Sequence, residues 1–265
     1  MKNDFELIVH SFEKPITIYP ISDVHLGSLE HNSEEWEKFV EKIKSESDSY
    51  VVLAGDLMNN ATRSSVSNIF DEVIRPREQK KLLIKYLKPI ADKILCAVSG
   101  NHERRSIKDA DDDPMYDIMC KLDLEDRYRQ NIAFMKIQMG KIPCKDRNKY
   151  KSTYTFAVTH GTGGGIYTGS SVNRNERFGY TIDGLDCLIV GHTHKGTITK
   201  PAKIVIDPRN DLISIKPFTV VTSQSWMNYG GYAMQKMLLP ASSSSSENGQ
   251  KLWVGLKNKE IKVIG

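Results

Sequence analysis

Two kinds of apolar pattern alternate through the first two-thirds of the chain. Short continuous runs, as a strand covered on both faces requires, occur at Ile16–Ile21 (ITIYPI), residues 50–54 (YVVLA), Ile94–Val98 (ILCAV) and residues 188–190 (LIV). Between them apolar residues recur at helical spacing: Trp36, Phe39, Val40 and Ile43; Val66, Ile69, Phe70 and Val73; Leu82, Leu83, Tyr86 and Leu87; Met115, Ile118, Met119 and Leu122. Ser33 is placed to cap the first of these helices, and Asp113 with Pro114 has the form of an N-cap followed by proline at the first helical position. Residues 134–139 and 154–159 alternate like half-buried strands. Beyond Gly196 the pattern turns to strands and turns at 203–206, 212–216, Thr219–Thr222, 234–239 and 252–256, with residues 207–211 (DPRND) as a hairpin turn. Helices between strands early and strands late predict an α/β fold of two packed sheets flanked by helices.

Composition narrows this picture without redirecting it. The 265 residues are 39% hydrophobic and 26% charged, an ordinary globular balance, and the net charge of +4 accommodates an anionic substrate without demanding one. Basic runs at 75–81 and 141–151 read as solvated surface rather than a nucleic-acid stripe. Cys96, Cys120, Cys144 and Cys187 form no C-x-x-C pair, so neither a disulfide framework nor a zinc-thiolate site is expected. Cys96 and Cys187 read as buried free thiols, which fits a cytoplasmic location. No signal-type apolar core and no membrane-length apolar run is present, so no membrane partner is expected. Residues 1–265 are read as one domain, and 241–250 (ASSSSSENGQ) as a flexible exposed loop within it.

The candidate chemistry follows the strands. Five segments, each directly after a predicted strand, carry metal-ligand side chains: Ser22-Asp23-Val24-His25, Gly55-Asp56-Leu57-Met58-Asn59, Ser99-Gly100-Asn101-His102-Glu103, Thr159-His160-Gly161 and Gly191-His192-Thr193-His194. Ligands of open α/β sheets bind beyond the carboxyl ends of strands, so five such loops can converge on one point. Carboxylate and imidazole together suit borderline divalent ions such as Mn²⁺, Fe²⁺ or Zn²⁺. Gly55, Gly100 and Gly191 allow the tight turns and close approach such a site needs. Any one segment alone is common; five in order, each after an apolar strand, is not.

Taken together, DVH, GDLMN, GNHE, THG and GHTH resemble the calcineurin-like metallophosphoesterases, over a span from Asp23 to His194. The resemblance implies two mixed β-sheets packed face to face and flanked by helices. It implies two divalent metal ions, Mn foremost, with Fe, Zn, Ni or Mg as the other candidates. Carried over by motif, Asp23, His25, Asp56 and His194 would hold one ion, and Asp56, Asn101, His160 and His192 the other. A hydroxide between the metals would attack phosphorus, and His102 would protonate the leaving oxygen.

The family's protein phosphatases carry GDxxDRG, where this chain has Asn59 and Asn60. Asn59 can still hydrogen-bond His102 but supplies no charge, and Asn60 cannot grip phosphate as arginine does. The GDxxN form resembles the general phosphodiesterase and nuclease members. The expected substrate is therefore a phosphodiester, in nucleic acid or a nucleotide. A small-molecule phosphomonoesterase and a non-catalytic metal-binding scaffold are the alternatives. The glycine-rich segment 161–180 reads as a lid, with Arg174 and Arg177 as candidate phosphate grips. The competing reading is a surface loop and a helix, capped by Asn173, whose arginines face water. Arg104 and Arg105 follow GNHE and lie nearer the metals, with Arg104 as a further substrate-binding candidate. Trp226 and Tyr229 in 225–232 are expected to pack rather than to stack a base. The sequence leaves oligomeric state open.

Overall fold

The computed structural model describes residues 4–63, 65, 69–142, 149–163, 165, 167–256 and 259–265. In chain order, β1 (Ile8–Phe12) and β2 (Ile16–Ile21) precede α1 (Ser33–Ser45) and β3 (Ser49–Ala54). Next come α2 (Pro76–Leu87), β4 (Ile94–Val98), α3 (Glu103–Ala110), α4 (Pro114–Lys121) and β5 (Tyr128–Arg129). The long strands β6 (Ile132–Ile142) and β7 (Lys149–Thr159) follow, then α5 (Thr168–Tyr180), β8 (Cys187–Val190) and β9 (Thr197–Thr199). The remainder is β10 (Ala202–Asp207), β11 (Leu212–Pro217), β12 (Thr219–Thr222), α6 (Gly231–Gln235), β13 (Lys251–Val254) and β14 (Ile261–Ile264).

Two six-stranded mixed sheets result, ordered β14-β13-β2-β3-β4-β5 and β1-β6-β7-β8-β12-β9. Alternation along each strand shows how they stack. Ile18, Val52, Ala54, Val98, Phe156, Val158 and Ile189 pack in one cluster between the sheets. The intervening residues Tyr19, Ile21, Val51 and Leu53 pack outward against Trp36, Phe39, Leu83 and Ile118 of α1, α2 and α4. On the second sheet Leu188, Val190 and Val220 share an outer cluster with Phe218, and α5 lies over β12. Central strands are thus covered on both faces, which is why they read as continuous apolar runs. The expected α/β sandwich, helices outside and sheets face to face, is the observed architecture.

Several local expectations need correction. Asn32, not Ser33, caps α1, its side chain accepting from the Glu35 N–H at 3.3 Å. The helix expected around Ile69, Phe70 and Val73 is only a single 3₁₀ turn, Ile69–Asp71, whose apolar side chains are exposed; Val66 lies outside the described residues. The strand expected at 234–239 is instead the short helix α6 and a turn. Asn173 sits inside α5 rather than capping it, because that helix starts at Thr168.

Residues 241–250 are tied down rather than free. Ser246 donates through its N–H and Oγ to Glu35 at 3.0 and 2.9 Å, its carbonyl accepts from Lys42, and Ser244 N–H reaches the Ser225 carbonyl at 2.6 Å. Serine hydroxyls and backbone groups supply local bonds that composition alone hides. Cys96 and Cys187 are buried free thiols, as expected, whereas Cys144 lies outside the described residues. Trp226 is buried against Trp36 and Phe39, in line with the packing expectation, whereas Tyr229, expected to pack as well, is exposed.

Candidate metal centre

β2, β3 and β4 run parallel, as do β7 and β8, and the candidate loops leave their carboxyl ends. The loops brace one another. Asp23 N–H donates to the Gly55 carbonyl at 3.1 Å, and His25 N–H to the Asp56 carbonyl at 3.1 Å. His102 N–H reaches Asp56 Oδ1 at 2.8 Å, His160 Nδ1 the Ala54 carbonyl at 2.8 Å, and His192 N–H reaches Asp23 Oδ2 at 2.9 Å. Close approach of two loops depends on glycine. A Cβ on Gly100 would stand 2.0 Å from Asp56 Oδ1, and Gly55 has φ of +84° with the Gly100 backbone nitrogen 2.5 Å from where its Cβ would be.

The backbone is strained where the candidate ligands sit. Asp23, His25, Asp56, His192 and His194 have φ of +53°, +46°, +53°, +73° and +59°. Left-handed conformations at non-glycine residues cost on the order of 1–3 kcal/mol each and gather at functional sites. Asp and His tolerate them better than branched residues do. Here the turns aim alternate side chains of D-x-H and H-x-H into one cleft.

The candidate side chains gather in two sets, around Asp23 and around Asp56, and His25 stands near both carboxylates. Asp23 Oδ1 lies 3.3 Å from His194 Nε2 and 3.9 Å from His25 Nε2, and those two imidazole nitrogens are 3.1 Å apart. Asp56 Oδ2 lies 4.0 Å from His25 Nε2 and 3.1 Å from His160 Nε2. Asn101 Oδ1 is 3.0 Å from His160 Nε2 and 2.8 Å from His192 Nδ1. Asp23–His25–His194, His25–Asp56–His102 and Asp56–His160–His192 each bring ligand atoms within 4.8 Å of one another. Asp23, His25, Asp56 and His160 are at most 3% exposed.

This geometry fits divalent cations. Asp23 Oδ1 is buried with no hydrogen-bond partner, an anionic oxygen facing two imidazole nitrogens. A buried carboxylate is otherwise costly unless paired. The His160 Nδ1–H bond to Ala54 fixes the tautomer and leaves Nε2 toward Asp56 and Asn101, as an imidazole ligand requires. Burial alone would lower His160, but Asp56 outweighs it and holds the imidazole at about 9. Burial would likewise raise Asp56, yet His160 and His102 hold it well below the ordinary carboxylate range. In the cluster as it stands, His160 and Asp56 thus compensate each other's charge.

His102 lies beside both sets. Its Nδ1–H donates to the Asn59 carbonyl at 2.7 Å, and its Nε2 stands 3.8 Å from Asp56 Oδ2. The Asn59 side chain donates instead to Glu72 at 3.3 Å, so backbone rather than amide holds the histidine. Asn60 is buried, its amide donating to the His102 carbonyl at 2.8 Å and to Ser106 at 3.0 Å.

Two residues gain roles that sequence reasoning did not give them. Glu103, buried, accepts from the N–H groups of Asp56, Met58 and Gly100 at 2.9 Å each, joining two loops. Burial and then Asp56 push its carboxyl up to about 7. Its only signal in the sequence is its place as the last letter of GNHE. Arg105, rather than Arg104, reaches the histidine: one guanidinium nitrogen is 2.9 Å from His102 Nε2 and another donates to the Asn59 carbonyl at 3.1 Å. Arg104 donates to the Ser99 and Gln130 carbonyls. Arg174 donates to the Thr162 carbonyl at 2.8 Å, and Arg177 is exposed in the last turn of α5.

An Asp, His and Asn cluster at the meeting edge of two facing sheets defines a metal-binding enzyme centre. A family model described as Calcineurin-like phosphoesterase matches residues 16–196, and the chain belongs to that family. It is a metal-dependent phosphoric ester hydrolase. No curated protein matches the chain. Among solved structures, the chain is similar to a conserved uncharacterized protein, titled a predicted phosphoesterase, from Streptococcus pneumoniae TIGR4. The two are 12% identical with a TM-score of 0.37, over 94% of this chain and 87% of that one. No helix among the described residues is long and apolar enough to cross a membrane.

Proposed function

We propose that the chain is a dinuclear phosphodiesterase acting on nucleic acid or nucleotides. The observation that carries this reading is Asp56, whose Oδ2 faces His25 of one ligand set and His160 of the other. Asp23, His25, Asp56 and His194 would hold one ion; Asp56, Asn101, His160 and His192 would hold the second. Manganese suits this mixture of carboxylate and imidazole best, with Fe, Zn, Ni or Mg as the other candidates. Bound divalent cations supply Lewis acidity at phosphate and bring the acidity of water toward neutral pH.

The protein's own groups orient the ester. With His102 Nδ1–H committed to Asn59, Nε2 is the atom that would face the leaving oxygen, and it gives up a proton there only from the doubly protonated imidazole, a form that burial disfavours and Asp56 favours. Arg105 stands at that same nitrogen and grips a phosphate oxygen with a planar, permanently charged fork. Asn60 is bound to the His102 loop and gives no second cation there. A monoester carries between one and two negative charges at neutral pH, a diester one. One arginine beside the cations therefore suits the diester.

Rates on bis-p-nitrophenyl phosphate and p-nitrophenyl phosphate, with metal-stripped protein and added Mn²⁺, test the reading. Mn²⁺-dependent hydrolysis with a higher kcat/KM on the diester is expected. Preference for the monoester overturns the substrate class, and metal-independent rates overturn the site. Single-stranded DNA, duplex DNA, RNA and cyclic nucleotides then narrow the class.

A further inference from the structure

Gln79 is a polar residue in an apolar place. It stands on α2 one turn before Leu83 and two turns before Leu87, and like them it is fully buried. A buried amide is costly unless its donors and its acceptor find partners. Oε1 accepts from the Asn60 N–H at 2.9 Å, and Nε2 donates to Glu72 Oε1 at 2.9 Å and to the Ile74 carbonyl at 2.6 Å. Gly27 leaves room for this amide, since a Cβ there would stand 2.1 Å from Nε2. A leucine, which the stripe of α2 calls for, meets none of these groups.

Glu72 completes the anchor. Its Oε1 also accepts from the Ala61 N–H at 2.6 Å and from the Asn59 side-chain amide at 3.3 Å. Residues 59–61 are thus fastened at three points by two side chains that hydrogen-bond to no candidate metal ligand among the described residues.

The same segment holds His102 from the other side. The Asn59 carbonyl accepts from His102 Nδ1–H at 2.7 Å and from Arg105 at 3.1 Å. The Asn60 amide donates to the His102 carbonyl at 2.8 Å. Asn60 itself turns through a φ of +45°, and Gln79 meets its N–H in that turn.

We propose that Gln79, together with Glu72, is a positioning residue for His102: it fixes the Asn59 carbonyl, and through it the direction of His102 Nε2. The inference rests on His102 acting at the leaving oxygen, as proposed above. Direction matters because a proton passes only within hydrogen-bond reach, and a misplacement of about 1 Å costs on the order of 10²-fold. Asp56, earlier in the same loop, is held separately, its N–H by Glu103 at 2.9 Å. The anchor can therefore be cut with the metal cluster left in place.

Aryl methyl phosphates, with leaving groups graded from 4-nitrophenol to phenol, test the proposal on the Mn²⁺-loaded wild type, Gln79→Met, Glu72→Ala and His102→Ala. A poor leaving group needs the proton and a good one does not. Loss of a correctly aimed donor therefore steepens the dependence of kcat/KM on leaving-group acidity. Gln79→Met is expected to lose on the order of 10²-fold on the phenyl ester and only a few-fold on the 4-nitrophenyl ester, with bound metal unchanged. Should it fail to fold by circular dichroism, Glu72→Ala, at a half-buried position, is expected to show the same tilt. Glu72→Gln keeps an accepting oxygen and should restore most of the rate on the phenyl ester. Equal losses on both esters, or lost metal, overturn the proposal, because a general loosening of the site produces them. A tilt in His102→Ala with none in folded Gln79→Met, or with none in Glu72→Ala where Gln79→Met does not fold, also overturns it and leaves the role of His102 intact. No tilt in His102→Ala withdraws that role, and this inference with it.

Discussion

The loops at the strand ends and the β10–β11 hairpin invert the ordinary rule of burial in opposite directions. At the strand ends Asp23, Asp56 and His160 are buried, on a backbone with left-handed turns at five candidate ligands. On the hairpin, four isoleucines are exposed on an unbroken antiparallel ladder. The first inversion is bound up with left-handed backbone at the candidate ligands themselves and with an unpaired Asp23 oxygen, whereas on the hairpin the left-handed residue is Asp211, in the turn and off the ladder. Buried polarity under strain indicates chemistry, because only a ligand inside the cluster compensates it. Exposed apolar side chains on a regular ladder carry no such mark, since a patch of a few hundred Å² is ordinary on a single chain.

The sharpest way to break the first half of this comparison is Asp56→Asn. An amide keeps the shape of the side chain but removes the charge that faces His25 and His160. Loss of kcat/KM by on the order of 10³-fold or more is expected, together with loss of bound metal, read by metal analysis after dialysis. Full metal content with lost activity would remove Asp56 from the ligand set.

His102→Ala comes next. The side chain stands 3.8 Å from Asp56 but makes its own bond to the Asn59 carbonyl. Turnover should fall by about 10²–10⁴-fold, the range for a lost general acid, while metal content is retained. Equal metal loss in both variants would contradict the separation of their roles.

Which parts of this comparison could be read from the sequence follows from what each part is made of. The ligand loops could be, because ligand chemistry resides in residue type and β2, β3, β4, β7 and β8 announce themselves as apolar runs. The sandwich could be, because two-sided burial leaves no polar alternation in its central strands. α3 was missed because its buried residue is Glu103, so no apolar stripe marks it. Residues 234–239 read as a strand on apolar content alone, without alternation, and Met234, Met237 and Leu239 are in fact exposed. Asn59 is the expected partner of His102, but it accepts through its backbone carbonyl, and backbone carbonyls leave no trace in residue identity. The hairpin's strands were legible, but their exposure was not, since isoleucine in a strand ordinarily implies cover.

Arg105→Ala probes how far the polar cluster extends toward substrate. The guanidinium touches His102 Nε2 and the Asn59 carbonyl, and it donates to no candidate ligand side chain among the described residues. A rise in KM of about 10-fold with a smaller fall in kcat is expected on a diester, since phosphate binding is lost more than transition-state stabilisation. Arg105→Lys should restore part of the KM and none of the two-pronged geometry. A change confined to kcat would make Arg105 a positioning residue for His102 and withdraw it from phosphate recognition.

The smallest effect is expected at the hairpin, and it separates the two inversions most cleanly. Ile213→Thr removes apolar surface that is 74% exposed, so little packing within one chain is lost. Stability of the monomer should change by no more than about 0.5 kcal/mol, as for surface positions in general. Chemical denaturation of the wild type and the variant measures the difference, and a loss of more than about 2 kcal/mol would show that Ile213 packs within the chain after all.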